Sequence, residues 1–186
     1  MTFKKLDPKI LRAHKGISYV GVTTNAFCHD GKGHFLMMKR GQGARDEHGR
    51  WDIVGGGLKV GQPVLDNLKR EIDEELCVEP HDIQYIGFRD VHRQLEDGTK
   101  THWISLDHVV KVDPQLVKIG EPDVIDEIGW FTLENLPSPL QSSSITRGTT
   151  IDSSQAAVFH TCNVPDQSAV ASHLPSGLKR SASTWA

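Results

Sequence analysis

The sequence predicts an α+β domain, a mixed β-sheet with at least one covering helix. Three observations carry this. Two β-rich runs come first, a short amphipathic helix follows a run of glycines, and further β-rich runs follow that helix. A length of 186 residues suits one domain with a core of ordinary size.

Residues 1–15 (MTFKKLDPKILRAHK) form an N-terminal segment with no apolar run long enough for a signal peptide. Residues 19–27 read as a strand, the cluster HDGKGH as a turn, and residues 35–40 as a second strand, so this is a hairpin. A loop holding Arg40, Arg45 and Arg50 leads to Trp51-Asp-Ile-Val and the triplet Gly55, Gly56, Gly57. Pro63 suits the first helical position, because its φ is fixed and its missing N–H has no partner there anyway. At about 100° per residue, Leu65, Leu68, Ile72 and Leu76 fall within about 80° of each other, a stripe fit for a core. Residues 83–92 and 102–112 flank the turn EDGTK as a second hairpin, and residues 125–131 (IDEIGWF) read as a last strand before a Leu-Pro turn. From residue 141 onward Ser and Thr are frequent and no period persists, so residues 141–186 read as a largely disordered tail. Its one plausible docking element is residues 155–162 (QAAVFHTC), and no amphipathic closing helix is evident.

Composition narrows the function. A net charge of −3 gives no case for broad nucleic-acid binding, which wants a basic face. Cys28, Cys77 and Cys162 contain no C-x-x-C pair, which argues against a disulfide framework or a zinc ribbon. No pair of histidines has zinc spacing on a convincing helix. Nothing is long enough to span a bilayer, so a reduced, cytoplasmic setting is expected.

The chemistry concentrates in residues 56–78, GGLKVGQPVLDNLKREIDEELCV. Glu71, Glu74 and Glu75 lie to one side of the apolar stripe, with Arg70 near. Like charges three and four residues apart repel by about 0.2–0.5 kcal/mol per pair, so three carboxylates there call for a cation or full solvation. Hard oxygen ligands suit Mg²⁺ or Mn²⁺ together with a phosphate. The glycines ahead of the helix let backbone N–H groups approach an anion at a helix N-terminus. Either feature alone is weak; the order glycine loop, helix, acidic flank is far more specific.

That order resembles the signature of the Nudix hydrolases, G-x5-E-x7-R-E-U-x-E-E-x-G-U, with U a bulky aliphatic residue. Gly56, Arg70, Glu71, Ile72, Glu74, Glu75 and Val78 match it. Gln62 stands where the first Glu is expected and Cys77 where the second Gly is expected. Gln62 keeps a carbonyl oxygen but cannot ionise, which points to weaker metal binding or slower turnover. Cys77 would meet a left-handed helix end at a cost of about 1–2 kcal/mol, or the helix ends differently; a half-buried small residue is the expected environment.

The resemblance spans residues 16–140 and implies the Nudix fold, a mixed sheet sandwiched by helices (α/β/α). It further implies a Mg²⁺- or Mn²⁺-dependent pyrophosphohydrolase acting on a nucleoside diphosphate linked to another moiety. Nucleoside triphosphates or nucleotide sugars stand slightly ahead of ADP-ribose. By the same resemblance Glu71 and Glu75 are the principal metal ligands, Glu74 a further ligand or base, and Arg70 the residue that orients Glu71. Gly55, Gly56, Arg40, Arg50 and Trp51 are expected at the substrate. A further carboxylate should come from Glu121, Asp123, Asp126 or Glu127, among which spacing does not choose. His92, Arg93, His102 and Trp103 are candidates to face the base or leaving group. The expected partner is a small nucleotide, with a homodimer open. The alternative, favoured by Gln62 and the tail, is a catalytically weak Nudix-fold nucleotide-binding or sensor protein.

Overall fold

The computed structural model describes residues 7–142. In chain order it contains α1 (Pro8–His14), β1 (Gly21–His29), β2 (Phe35–Arg40), β3 (Trp51–Asp52), β4 (Val54–Gly57), α2 (Val64–Leu76), β5 (His81–Gln94), β6 (Lys100–Lys111) and β7 (Ile125–Phe131), then a 3-10 turn at Leu133–Asn135. The seven strands form one sheet in the order β3-β2-β1-β6-β5, with β4 also paired to β1 and β7 to β2. β1 and β6 run parallel from Gly21↔Trp103 to His29↔Lys111, and the other pairings between these strands are antiparallel. The sheet is therefore mixed, as expected. Both expected hairpins form; Asp30 holds the first turn by accepting from the N–H groups of Lys32 and His34.

β1 is shared by several neighbours. Residues Thr23 to Ala26 pair with β4, while His29 reaches β2. The glycines of β4 thus lie beside β1 on the side where α2 crosses. Leu68, Ile72 and Leu76 are fully buried against Ala26, Cys28, Val54 and Val110. Each such side chain contributes about 1.5–3 kcal/mol by leaving water. A smaller cluster, Phe27, Ile53 and Val109, lies apart from it.

Two details of α2 depart from the periodicity argument. Pro63 is the N-cap, with φ −57° and ψ 147°, and the helix begins one residue later. Leu65 is 50% exposed, and the first turn is anchored instead by the buried Asn67. The Asn67 amide donates to Thr24 Oγ1 at 2.8 Å and to the Gly56 carbonyl at 3.3 Å. A polar residue occupies the sheet-facing position there because it ties the helix to β1 and to the glycine strand together.

The far end of α2 fixes a distant loop. Cys77 takes the left-handed conformation (φ 54°, ψ 35°), and its N–H donates to Asp73 O. It is exposed, rather than the half-buried residue the sequence suggested. Lys118 and Gly120 donate their N–H groups to the carbonyls of Leu76 and Glu75, each at 2.9 Å, satisfying helix-end acceptors. A side chain on Gly120 would place Cβ 2.0 Å from the Glu74 carbonyl oxygen, so the close approach requires glycine. Cys77→Gly should raise stability by about 0.5–1 kcal/mol: relief of the left-handed penalty exceeds the added freedom of the unfolded chain. Urea unfolding checks this; an unchanged or lower midpoint would mean that Cys77 is not strained.

The N-terminal segment holds a helix that the sequence reading did not anticipate. α1 buries no residue and so shows no stripe; its signals are Asp7, whose carboxylate accepts from Lys9 N–H, and Pro8 at its start. Beyond it, Gly16 and Gly21 lie so close to the Trp103 ring that a Cβ at either would come within 2.3 Å. Lys15 Nζ then reaches the Leu58 carbonyl. The segment in which no closing helix is expected, the docking element at residues 155–162 and nearly all of the tail read from residues 141–186 lie outside the described residues. No helix among the described residues is long and apolar enough to cross a membrane.

Candidate functional site

The glycine strand and α2 meet face to face. Gly55 N–H donates to Glu75 Oε2 at 3.0 Å. Gly56 lies against Glu71, whose carboxylate would be 2.2–2.3 Å from any Cβ placed there. The sequence assigns these glycines to a phosphate; in the structure they first admit two carboxylates beneath the strand. Thr23 Oγ1 holds the Gly56 carbonyl at 2.8 Å. The Arg70 guanidinium binds the carboxylates of Glu71 and Glu74 and donates to Asn67 Oδ1 at 2.8 Å. Arg70 therefore orients Glu71 by a charge-assisted bond. Glu74 is exposed, is held by Arg70, and lines neither of the cavities described below.

The electrostatics of the cluster are unfavourable without a cation. Burial pushes the Glu75 carboxyl well above its ordinary range, and the negative charges of Glu71, Asp52 and Glu121 push it further, against the Gly55 N–H. Glu71 is also raised, first by burial and then by Glu74, while Arg70 and Lys59 oppose the shift. Asp52 is raised by burial despite Arg40 and Arg93. Burying several carboxylates together is costly unless they are paired or bind a metal. This donor set, all oxygen and net anionic, fits a hard divalent cation.

Glu121 stands apart from the other distal carboxylates. It lines a cavity of about 230 Å³ together with Glu75, Gly55, Arg40 and Arg45. It follows Gly120, the residue docked on the end of α2, and so is carried to the helix by that contact. Asp123 instead offers its carbonyl to Gly43 N–H at 2.9 Å, Asp126 lies against Gly41, and Glu127 forms an exposed ion pair with Lys39 at 3.7 Å. Gln62 Oε1 is enclosed and has no hydrogen-bond partner, an acceptor left free beside the start of α2.

A second cavity, also about 230 Å³, shares Gly55, Arg40 and Arg45 with the first and adds Asn25, Arg93 and Trp103 among its walls. Of the residues expected at the substrate, Gly55 and Gly56 line this cavity. Arg40 lines both cavities with its guanidinium tied to Asp46 and Asp52 at 2.9 and 3.1 Å. The other two expected contacts are turned elsewhere. Arg50 donates to the Leu140 carbonyl at 3.0 Å and lines neither cavity. Trp51 is buried edge-on against Phe131, with ring centroids 5.1 Å apart. Side chains alternate along a strand, so with Asp52 in the cavity wall its neighbour Trp51 faces away.

The same alternation sorts the second hairpin. Arg93 and Trp103 face the cavity, whereas His92 and His102 lie on the opposite face. Arg45 sits over the Trp103 ring at 5.2 Å and Lys15 at 5.7 Å, both within cation–π range. Burial lowers the Lys15 pKa, while the Glu71 charge acts to raise it. Beside Trp103, Asn25 donates to Ser105 Oγ at 2.8 Å, Ser105 donates to Asp107, and Arg89 clasps Asp107. Sequence reasoning missed Asn25 and this chain of bonds. Its one signal is the polar alternation at positions 23 and 25 of β1 and 105 and 107 of β6, which parallel pairing places side by side.

Comparisons with known proteins agree with this geometry. The NUDIX domain family matches residues 20–149. The chain is 36% identical over 107 residues to the oxidized purine nucleoside triphosphate hydrolase of Mus musculus, a match covering 54% of this chain and 58% of that protein. It thus spans little more than half the length of that relative. Among solved structures, the MutT NUDIX hydrolase from Burkholderia pseudomallei superposes with a TM-score of 0.59 and 28% identity, over 68% of this chain and 93% of that one. The NUDIX domain of Shewanella oneidensis NrtR, complexed with ADP ribose, shares the fold at a TM-score of 0.50 and 19% identity, over 69% of this chain and 79% of that one. A glycine strand laid on the carboxylates of one helix, within a domain matched over most of its length, establishes that this chain belongs to the NUDIX domain family.

Proposed function

We propose that this chain is a Mg²⁺- or Mn²⁺-dependent pyrophosphohydrolase that cleaves a phosphoanhydride bond of nucleoside triphosphates. One observation carries the reading: the half-buried Glu75, bonded to Gly55 N–H within an anionic cluster, lines a cavity together with Arg40, Arg45 and Glu121. In this reading Glu71, Glu75 and Glu121 hold the cation, Glu74 is a further ligand or the base, and Arg70 keeps Glu71 aimed. Bound there, the cation supplies positive charge to the phosphate oxygens and makes water a better nucleophile. Arg45 and Arg93 neutralise the remaining phosphate charge, and Trp103 offers a surface to the nucleoside. Gln62 cannot take the proton of the attacking water, so a carboxylate must. The likeness to the mouse protein supports triphosphates ahead of nucleotide sugars or ADP-ribose.

The test is a panel of nucleoside triphosphates, including oxidized purines, with nucleotide sugars and ADP-ribose, assayed with Mg²⁺ and with chelator. Metal-dependent release of nucleoside monophosphate from triphosphates is the expected result. Turnover confined to another class would move the substrate assignment. Tight nucleotide binding without any turnover would support the sensor reading that Gln62 motivates.

A further inference from the structure

Asp90, His92 and His102 share the outer face of the β5–β6 hairpin. The antiparallel register sets His92 directly opposite His102, and Asp90, two residues earlier on β5, returns to the same face. The two imidazoles stack with centroids 4.3 Å apart and planes 25° from parallel. Asp90 Oδ1 lies 3.1 Å from His102 Nε2, and one donor atom from each of the three residues falls within 4.8 Å of the others. Donor atoms around a tetrahedral zinc ion, with bonds of about 2.0–2.2 Å, stand about 3.3–3.6 Å apart. One edge of such a shell is thus nearly formed, and the remaining adjustment is rotation of side chains at an accessible surface.

Ligand chemistry separates this group from the carboxylate cluster. Two imidazoles and one carboxylate suit Zn²⁺, whereas all-oxygen sets suit Mg²⁺. The ladder fixes the strand spacing, so three ligands converge without any rearrangement of the chain. We propose that Asp90, His92 and His102 bind one Zn²⁺ ion, with water completing its shell, on the face opposite the nucleotide cavity. Alternate residues of the same strands, Val91, Arg93 and Trp103, line that cavity from the inner face. An ion on the outer face therefore cross-links the two strands that form one cavity wall.

The experiment is calorimetric titration of the full chain with ZnCl2 at neutral pH, in excess Mg²⁺ to occupy the carboxylate cluster. The wild type should bind one equivalent. His92→Ala and His102→Ala should each weaken binding by at least about tenfold, since even indirect partners of a metal site are worth 10–100-fold. Glu75→Gln should leave the zinc isotherm unchanged. Circular dichroism checks the fold, and His102→Gln replaces the alanine variant should the hairpin be disturbed. Absence of saturable Zn²⁺ binding in the wild type overturns the proposal, as does binding that survives both histidine variants or is lost in Glu75→Gln.

Discussion

Glu75→Gln should lower Mg²⁺-dependent turnover by at least about 10²–10³-fold, because charge stabilisation at a metal site is worth several kcal/mol and each 1.4 kcal/mol is a factor of ten. The substitution keeps the shape and the acceptor oxygen, so the Gly55 N–H retains its partner and the strand stays on the helix. What is lost is the charge. Stability should move the opposite way. Burial and the neighbouring Glu71, Asp52 and Glu121 raise the Glu75 pKa, so the native state holds this proton more tightly than the unfolded chain does. The stability this group contributes is complete below the ordinary carboxylate value of 4.5 and is lost as pH rises through the raised value. Glutamine has no proton to lose. In chelator at neutral pH the variant should therefore melt no lower than the wild type, and its advantage should shrink toward acid pH. Near wild-type turnover would remove Glu75 from the metal site. A variant that melts lower at neutral pH would show that its charge is already compensated.

The parts of this molecule that were legible in the sequence are those with a local cause. Leu68, Ile72 and Leu76 recur with the period of a helix and form its buried stripe. The turn clusters at residues 29–34 and 96–100 announce their hairpins through short-range bonds such as Asp30 to Lys32 and Asp97 to Thr99. Arg70 beside Glu71 is a matter of adjacency on one helix. Features set by tertiary contact were not legible. Glu121 is distinguished from Asp123, Asp126 and Glu127 by the docking of Lys118 and Gly120 on the end of α2, which no spacing within that loop encodes. Trp51 points away from the cavity because of the facing of a two-residue strand, too short to show alternation, and Arg50, just before that strand, is drawn off by the Leu140 carbonyl, a contact far away in sequence. Leu65 lies within the apolar stripe yet is exposed, since Asn67 makes the contact that anchors the first turn. α1 escaped notice because it buries nothing, leaving only its Asp-Pro start as a sign.

Gly56→Ala should reduce turnover by about 10²-fold, the scale expected when a catalytic group is misplaced by about 1 Å. The backbone at Gly56 is not left-handed, so alanine is conformationally acceptable and the effect is steric alone. Its methyl would fall 2.2–2.3 Å from all three carboxylate atoms of Glu71. Glu71 cannot simply swing aside without breaking its bond to Arg70, which also holds Glu74 and Asn67. The helix or the strand must shift, and the spacing between Glu71 and Glu75 shifts with it. Gly57→Ala is the control. A methyl there meets the end of Lys15 at 3.1 Å, a flexible group that can withdraw. Its turnover should stay within a few-fold of wild type, because ordinary van der Waals adjustment suffices. Titration with Mg²⁺ gives the second readout: Gly56→Ala should need a higher concentration for half-maximal activity, and Gly57→Ala should not. Equal losses in the two variants would mean that the glycines act through substrate approach alone. A harmless Gly56→Ala would mean that Glu71 has no fixed place in the reaction. The carboxylate lying against Gly56 thus gives the first glycine of the signature a physical reason, separate from any contact with phosphate.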